Sequence, residues 1–406
     1  MGKMLFINFP GEGHINPTVG LVKELTARGE EITYYCAEKY KARMEGAGAS
    51  VRTYDDFVER ELAGKIAGLG TPGNQRDPLM FLEFMLRKSL ELYEWILPQV
   101  EQERYDYVVY DHVLVAGWMI AEKLKLPRAA SCTTFAFHPE WESPMRNMIS
   151  EDKIAELQIK IKDWVERAQA KYGLDLSFLN SRMGIVSHPV DMTIVYTSTY
   201  FQPKADKFDG SFHFVGPSIA PRSDAPELPL QELKGRKVVF VSMGTVFNQQ
   251  KAYYDMCFEA FKDLDAAIVM SVGRNTDIHA FSSIPDNFIV RNYVPQLDVL
   301  QIADVFFTHG GMNSSSEGLY YDTPLAVAPV SADQPMVARR VSELGAGIAL
   351  NLNEITPALL RETAEKLLSD PSYKRQAEKI GASFREAGGA AKAADLIMQW
   401  RHASAL

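Results

Sequence analysis

Short apolar runs ending in small or glycine-rich turns, each followed by a helical stretch, dominate this chain and restrict what it can fold into. Lys3 to Phe9 is the first such run, closed by Pro10, Gly11, Glu12 and Gly13. The spacing then predicts a helix over Pro17 to Arg28 and a second strand over Glu31 to Cys36, with Asn16 as its N-cap and Pro17 at the first helical position. The same order returns at Tyr105 to Tyr110, which ends in Asp111, then at a helix over Val113 to Leu124 and strands at Arg128 to Cys132 and Met192 to Tyr196. It returns again at Lys237 to Val241, Ala266 to Val272, Asp304 to Thr308 and Leu325 to Ala328. Strands that are apolar along their whole length, separated by helices, belong to parallel sheets covered on both faces, the α/β class. Between the two series the pattern stops. Gly216 to Gly235 carries Pro217, Pro221, Pro226 and Pro229 and reads as a linker. The expected organisation is therefore an N-terminal domain over residues 1–215, a linker over 216–235, a C-terminal domain over 236–390 and a last helix over 391–406.

Composition removes several function classes. At roughly 150 residues per domain, 406 residues suit two or three domains with cores of their own. With 43 Lys and Arg against 52 Asp and Glu the net charge is −9, the wrong sign for a protein that neutralises nucleic-acid phosphates. Cys36, Cys132 and Cys257 are far apart and form no CxxC pair, which suits a reducing cytoplasm. The opening apolar run is cut by Pro10, and no stretch reaches the roughly 18 apolar residues of a membrane span, so neither a signal peptide nor membrane insertion is expected.

In such sheets ligands bind beyond the carboxyl ends of the strands, which selects the candidate residues. After Thr308 come His309-Gly310-Gly311-Met312-Asn313-Ser314-Ser315-Ser316-Glu317, a strand–turn–helix transition suited to a pyrophosphate at a helix N-terminus. The same residues could equally be a capping box, Ser314 to Glu317, beside an ordinary loop histidine. Ser242-Met243-Gly244-Thr245, Tyr293-Val294-Pro295-Gln296 and Asp333-Gln334 end or follow other strands and converge on the same crevice. In the first half His14 follows strand one and Asp111 ends the strand at Tyr110, so the two can meet as a general-base dyad. Alternatively Asp111 caps the next helix and His14 is a solvated loop residue. His112 is expected to point to the side opposite Asp111. Gly11-Glu12-Gly13 lacks the third glycine of a dinucleotide fingerprint, and Asp263-Leu264-Asp265 precedes its strand, at the wrong end for a metal-binding DxD.

Over Tyr293 to Gln334, the elements Pro295-Gln296, His309-Gly310-Gly311, Asn313-Ser314, Glu317, Thr323-Pro324, Pro329 and Asp333-Gln334 resemble, in order, the donor-binding signature of the UDP-dependent glycosyltransferases. Gly13-His14-Ile15-Asn16-Pro17 resembles the opening loop of the same family, and the whole chain is most similar to its Bacillus-type members. The resemblance implies a GT-B fold of two Rossmann-like domains facing across a cleft. It also implies inverting, metal-independent transfer of a hexose, with UDP-glucose as the expected co-substrate and no further cofactor, to a small apolar acceptor such as a flavonoid or macrolide. By position, Tyr293 would stack on uracil, Val294 and Gln296 lie near the base, and Glu317 accept from the ribose. His309, Asn313, Ser314 and Thr245 would hold the phosphates, and Asp333 and Gln334 the sugar, with Ser242, Gly244 and Gly311 also in the donor site. Met312 stands where plant members carry Trp, which removes a contact near the sugar. A UDP-sugar epimerase on the same twin-domain fold is the alternative.

Met80, Phe81, Phe84 and Met85 recur at helical spacing and read as a core face. Met80 and Phe84, with Phe135, Phe137 and Trp141, are also candidates for an apolar acceptor pocket. Lys392 to Arg401 reads as a final helix, and in the resembled fold that helix crosses back onto the first domain, partly burying Trp400.

Overall fold

The computed structural model describes residues 1–54, 78–138, 151–180, 184, 188–220, 228–244, 251–274 and 276–404, without the side chains of 78–82, 151–154, 157 and 404. Two compact units emerge. Among the described residues, the first comprises those within 1–54, 78–220 and 387–404, and the second those within 228–386.

In the first unit the elements run β1 (Lys3–Ile7), α1 (Glu12–Ala27), β2 (Glu31–Ala37), α2 (Lys41–Gly46), β3 (Ser50–Tyr54), α3 (Pro78–Val100), β4 (Tyr107–Asp111), α4 (Val115–Leu124), β5 (Arg128–Cys132), α5 (Glu151–Tyr172), β6 (Met192–Val195) and β7 (Phe212–Phe214). The described strands form one parallel sheet in the order β3-β2-β1-β4-β5-β6-β7. The order reverses between β1 and β4, so the crevice for a ligand opens beside the ends of those two strands. The central strands are buried along their whole length, as covered parallel strands must be. Helix α4 lies against β4 because Gly117 has no side chain, and a Cβ there would meet the Tyr110 Cβ at 2.2 Å. That close approach fixes the strand end that carries Asp111.

The second unit runs β8 (Val238–Ser242), α6 (Lys251–Phe261), β9 (Ala267–Ser271), β10 (Phe288–Arg291), α7 (Gln296–Leu300), β11 (Val305–Thr308), α8 (Met312–Tyr320), β12 (Leu325–Val327), α9 (Gln334–Glu343), β13 (Gly347–Ala349), α10 (Pro357–Ser369) and α11 (Pro371–Glu386). Its described strands are again parallel, in the order β10-β9-β8-β11-β12-β13, with the reversal between β8 and β11.

The last helix, α12 (Gly389–Ser404), packs on α1 within the first unit. Ala393, Ala394 and Ile397 are buried in that unit's core, and half-buried Trp400 meets Tyr107 edge-on with ring centroids 5.9 Å apart. Gly20 of α1 makes room for Ala390. Arg401 reaches the buried Glu30 at 2.8 Å, and Glu30 also accepts from the Gly2 amide at 3.1 Å and the Tyr107 hydroxyl at 2.7 Å. Arg28 pairs with Asp395 across the same seam.

Several boundaries differ from expectation. Helix α1 begins at Glu12, with extended Gly11 as its cap, and Pro17 lies inside it. The Asn16-Pro17 signal is overridden because Asn8, fully buried past the end of β1, pins the new first turn by donating its Nδ2 to the His14 carbonyl at 3.1 Å and to the Tyr34 hydroxyl at 2.5 Å. His14 is thus a helix residue and not a loop residue. The edge strands β3, β7 and β13 are additional, and their partial burial explains their weak apolar signal. Inside the linker Leu230–Leu233 forms a turn of 3₁₀ helix. Among the described residues, no helix is long and apolar enough to cross a membrane.

Candidate active site

Each unit brings its chemistry to its own reversal point. In the first, His14 stands in the opening turn of α1, just past β1, and Asp111 is the last residue of β4. Their side chains meet, His14 Nδ1 lying 2.6 Å from Asp111 Oδ2. Asp111 is fully buried, whereas the His14 side chain keeps 25% of its surface exposed. Burial alone would raise the carboxyl's pKa. The His14 charge and hydrogen bond outweigh it, helped by His112 and by the Val113 amide, which donates to Oδ1 at 3.1 Å, and Asp111 titrates below the usual range. Asp111 closes the turn before α4 and holds His14, but it does not cap that helix, whose N-cap position is Leu114 with no side chain capping it. An ionised carboxylate only accepts, so Nδ1 carries the proton and Nε2 the lone pair. Phe9 sets the ring edge-on, with centroids 4.8 Å apart.

His112 departs from expectation. The chain leaves the extended conformation after Asp111, and His112 Nδ1 comes within 3.6 Å of Asp111 Oδ1 and 3.3 Å of the Ser131 carbonyl. Burial pushes its pKa down, so it faces Asp111 as a neutral ring.

In the second unit His309 follows β11 beside the end of β8. Its ring fits between two glycines. A Cβ on Gly244 would lie 2.5 Å from His309 Cε1, and one on Gly311 2.6 Å from Nε2. Gly244 also has φ of +76°, which a side chain would strain. Desolvation takes the His309 pKa down to about 4, so the ring is neutral near pH 7 and offers a hydrogen bond in place of a charge.

Helix α8 begins after Gly311 with no side chain capping it, so the alternative capping box over Ser314 to Glu317 does not form. Asn313 and Ser314 sit partly exposed on its first turn, where the backbone N–H groups and the positive end of the helix dipole favour an anion. The Met312 amide lies 3.3 Å from Asp333 Oδ2. Glu317, buried, accepts from Gln296 Nε2 at 2.6 Å, tying α8 to the start of α7. Arg274, just past β9, lies over the Tyr293 ring at 4.6 Å, and Val294 is buried beside it. Gln334 is buried, and its Oε1 accepts from the Val330 and Ser331 amides at 2.7 and 3.0 Å. Ser242 is buried at the end of β8.

The acceptor candidates divide. Phe84 is 1% exposed within the core of the first unit, and Phe135 is 0% exposed and packs against Phe201 at 5.3 Å. Both are packing residues, because their apolar rings are already sealed from solvent. Phe137 is half-buried and retains surface. Trp141, Thr245 and the side chain of Met80 lie outside the described residues. Sequence reasoning missed Asn8 and Thr133, the latter 3.1 Å from His14 Nδ1 through its hydroxyl. Their position just past the ends of β1 and β5 was the available signal.

Residues 255–388 match the family model described as the C-terminal domain of erythromycin biosynthesis protein CIII-like proteins. The structure is similar to those of the glycotransferase of kitacinnamycin and of CalG4, the calicheamicin glycosyltransferase. Each has a TM-score of 0.81 over 98% of both chains, at 28% and 25% identity. The fold is thus the GT-B fold of sugar-transferring enzymes. The chain is also 40% identical over 98% of its length to the uncharacterized UDP-glucosyltransferase YojK of Bacillus subtilis, covering 97% of that protein. It is 30% identical to the oleandomycin glycosyltransferase of Streptomyces antibioticus, covering 95% of this chain and 87% of that one. It belongs to the UDP-glycosyltransferase family. Among the described residues, no group of three or more His, Cys, Asp or Glu could hold a metal ion.

Proposed function

We propose that this enzyme transfers a hexose, with UDP-glucose as donor, to a hydroxyl of a small apolar acceptor with inversion at the anomeric carbon. The observation that carries this reading is the 2.6 Å contact of partly exposed His14 with buried Asp111 at the reversal point of the first sheet. Asp111 holds the tautomer in which Nε2 can accept a proton and stabilises the imidazolium that results. In the reaction the acceptor oxygen forms its bond to the anomeric carbon as its proton passes to His14 Nε2. The bond from that carbon to the β-phosphate oxygen breaks, and UDP leaves with the electron pair. His309 and the first-turn amides of α8 meet the developing charge, Glu317 and Tyr293 hold the nucleoside, and Asp333 and Gln334 hold the sugar.

The alternative epimerase needs no acceptor, and neither relative named above is named for epimerisation. Incubation of the protein with UDP-glucose, alone and with a panel of phenols and macrolides, separates the two by mass spectrometry and NMR. One added hexose in the β configuration on an acceptor is expected. A new UDP-sugar isomer formed without acceptor, or a retained α linkage, overturns the reading.

The glycine pocket around His309 supplies a second expectation. Gly244→Ala places a methyl group against the ring at a positive φ, straining the backbone by about 1–2 kcal/mol and displacing His309. The strain should appear as a lower melting temperature, and UDP should bind about tenfold more weakly by calorimetry, about the worth of one hydrogen bond from the displaced His309 ring to a charged phosphate.

A further inference from the structure

Asp111 is not the only group on the back of the His14 ring. Thr133 lies one residue past the end of β5, the strand paired with β4, and its Oγ1 is 3.1 Å from His14 Nδ1. Thr133 is 6% exposed and Asp111 0%. Nδ1 carries the proton, so its single N–H faces two acceptors, a carboxylate oxygen at 2.6 Å and a hydroxyl oxygen at 3.1 Å. One acceptor fixes the tautomer but lets the imidazole swing about the line joining Nδ1 to that oxygen. A second acceptor on a different strand removes the swing, and Phe9 at the ring edge limits what remains. Ring orientation sets where the Nε2 lone pair points, and small misplacement of a general base lowers its rate.

We infer that Thr133 is a positioning residue for the His14 base, acting as the second acceptor for its Nδ1–H. This rests on the reading of His14 as general base. When His14 takes the acceptor's proton, the N–H at Nδ1 becomes a stronger donor, and the Thr133 oxygen stabilises the imidazolium more than the neutral ring. The hydroxyl therefore both aims the base and raises its proton affinity.

Thr133→Val keeps the shape and removes the acceptor, whereas Thr133→Ser keeps the acceptor. Each is compared with wild type and His14→Ala in UDP-glucose turnover, and the protonation of His14 is followed by NMR on protein labelled at histidine Cε1. Thr133→Val should lower kcat on an unactivated alcohol about tenfold, the worth of one hydrogen bond to a charged group, with KM for UDP-glucose unchanged. His14 should titrate at lower pH than in wild type, and Thr133→Ser should restore both quantities. On ionised 4-nitrophenol the loss should shrink, because no proton has to be removed. Thr133→Ala replaces the valine variant if that one does not fold. A Thr133→Val enzyme with wild-type kcat and His14 titration beside an inactive His14→Ala overturns the role of Thr133 alone. A Thr133→Ser enzyme as impaired as Thr133→Val overturns it too, and assigns the effect to the lost methyl. Full activity of His14→Ala on the alcohol overturns the base assignment and this inference with it.

Discussion

His14→Ala should lower kcat on an unactivated alcohol by roughly 10²–10⁴-fold while leaving UDP affinity at the wild-type value. The two measurements part because His14 belongs to the first unit and the residues assigned to UDP to the second. Asp111→Asn should cost less, since an amide can still accept from Nδ1 but stabilises the imidazolium without a full charge. It can also turn its NH₂ toward the ring and favour the wrong tautomer, and without the full negative charge His14 loses its proton at lower pH than in wild type. The effect should therefore be largest at and above neutral pH, where the wild-type base is already deprotonated, and smallest in acid. Steady-state kinetics across pH, with calorimetric UDP binding in parallel, checks both variants. Near-wild-type turnover by His14→Ala on an alcohol would remove the base from the scheme. An acidic phenol cannot serve, because it arrives partly ionised.

Removing α12 by ending the chain at Gly389 should unfold the first unit. The truncation strips the cover from α1, deletes buried Ala393, Ala394 and Ile397, and takes away the Arg401 guanidinium from Glu30. The Glu30 side chain is 1% exposed, and a buried carboxylate that loses its cationic partner destabilises a protein by about 3–5 kcal/mol. Arg401→Ala isolates that part of the effect. Its cost should fall near the lower end, about 3 kcal/mol, because the Gly2 amide and the Tyr107 hydroxyl still donate to Glu30. Thermal and urea unfolding measure both variants. A truncated protein that melts within a few degrees of the full chain would show that α12 is peripheral. UDP binding by the second unit should outlast the loss, since α12 contributes nothing to that unit's core.

Much of this architecture is legible in the chain. The central strands are apolar along their whole length because both faces of the sheet are covered, so β1, β4, β8 and β11 announce themselves without partners. Residues at their carboxyl ends follow from the rule for parallel sheets, and His14, Asp111, Gly244 and His309 were all found that way. The edge strands β3, β7 and β13 were not, because an edge is half-solvated and demands less of its side chains.

What the local sequence determined by itself is the alternation of buried strands with helices and the chemistry waiting at the strand ends, since both depend on near neighbours and on the period of burial. What only the tertiary structure decided is which of those groups touch. A buried asparagine past β1 moved the start of α1 ahead of its own Asn-Pro signal and turned His14 into a helix residue. Sheet order brought Thr133, just past β5, to the back of the same ring, and packing buried Phe84 and Phe135. Contacts between residues 119 positions apart, as His14 and Thr133 are, depend on strand order and close packing, which leave no local trace in the chain.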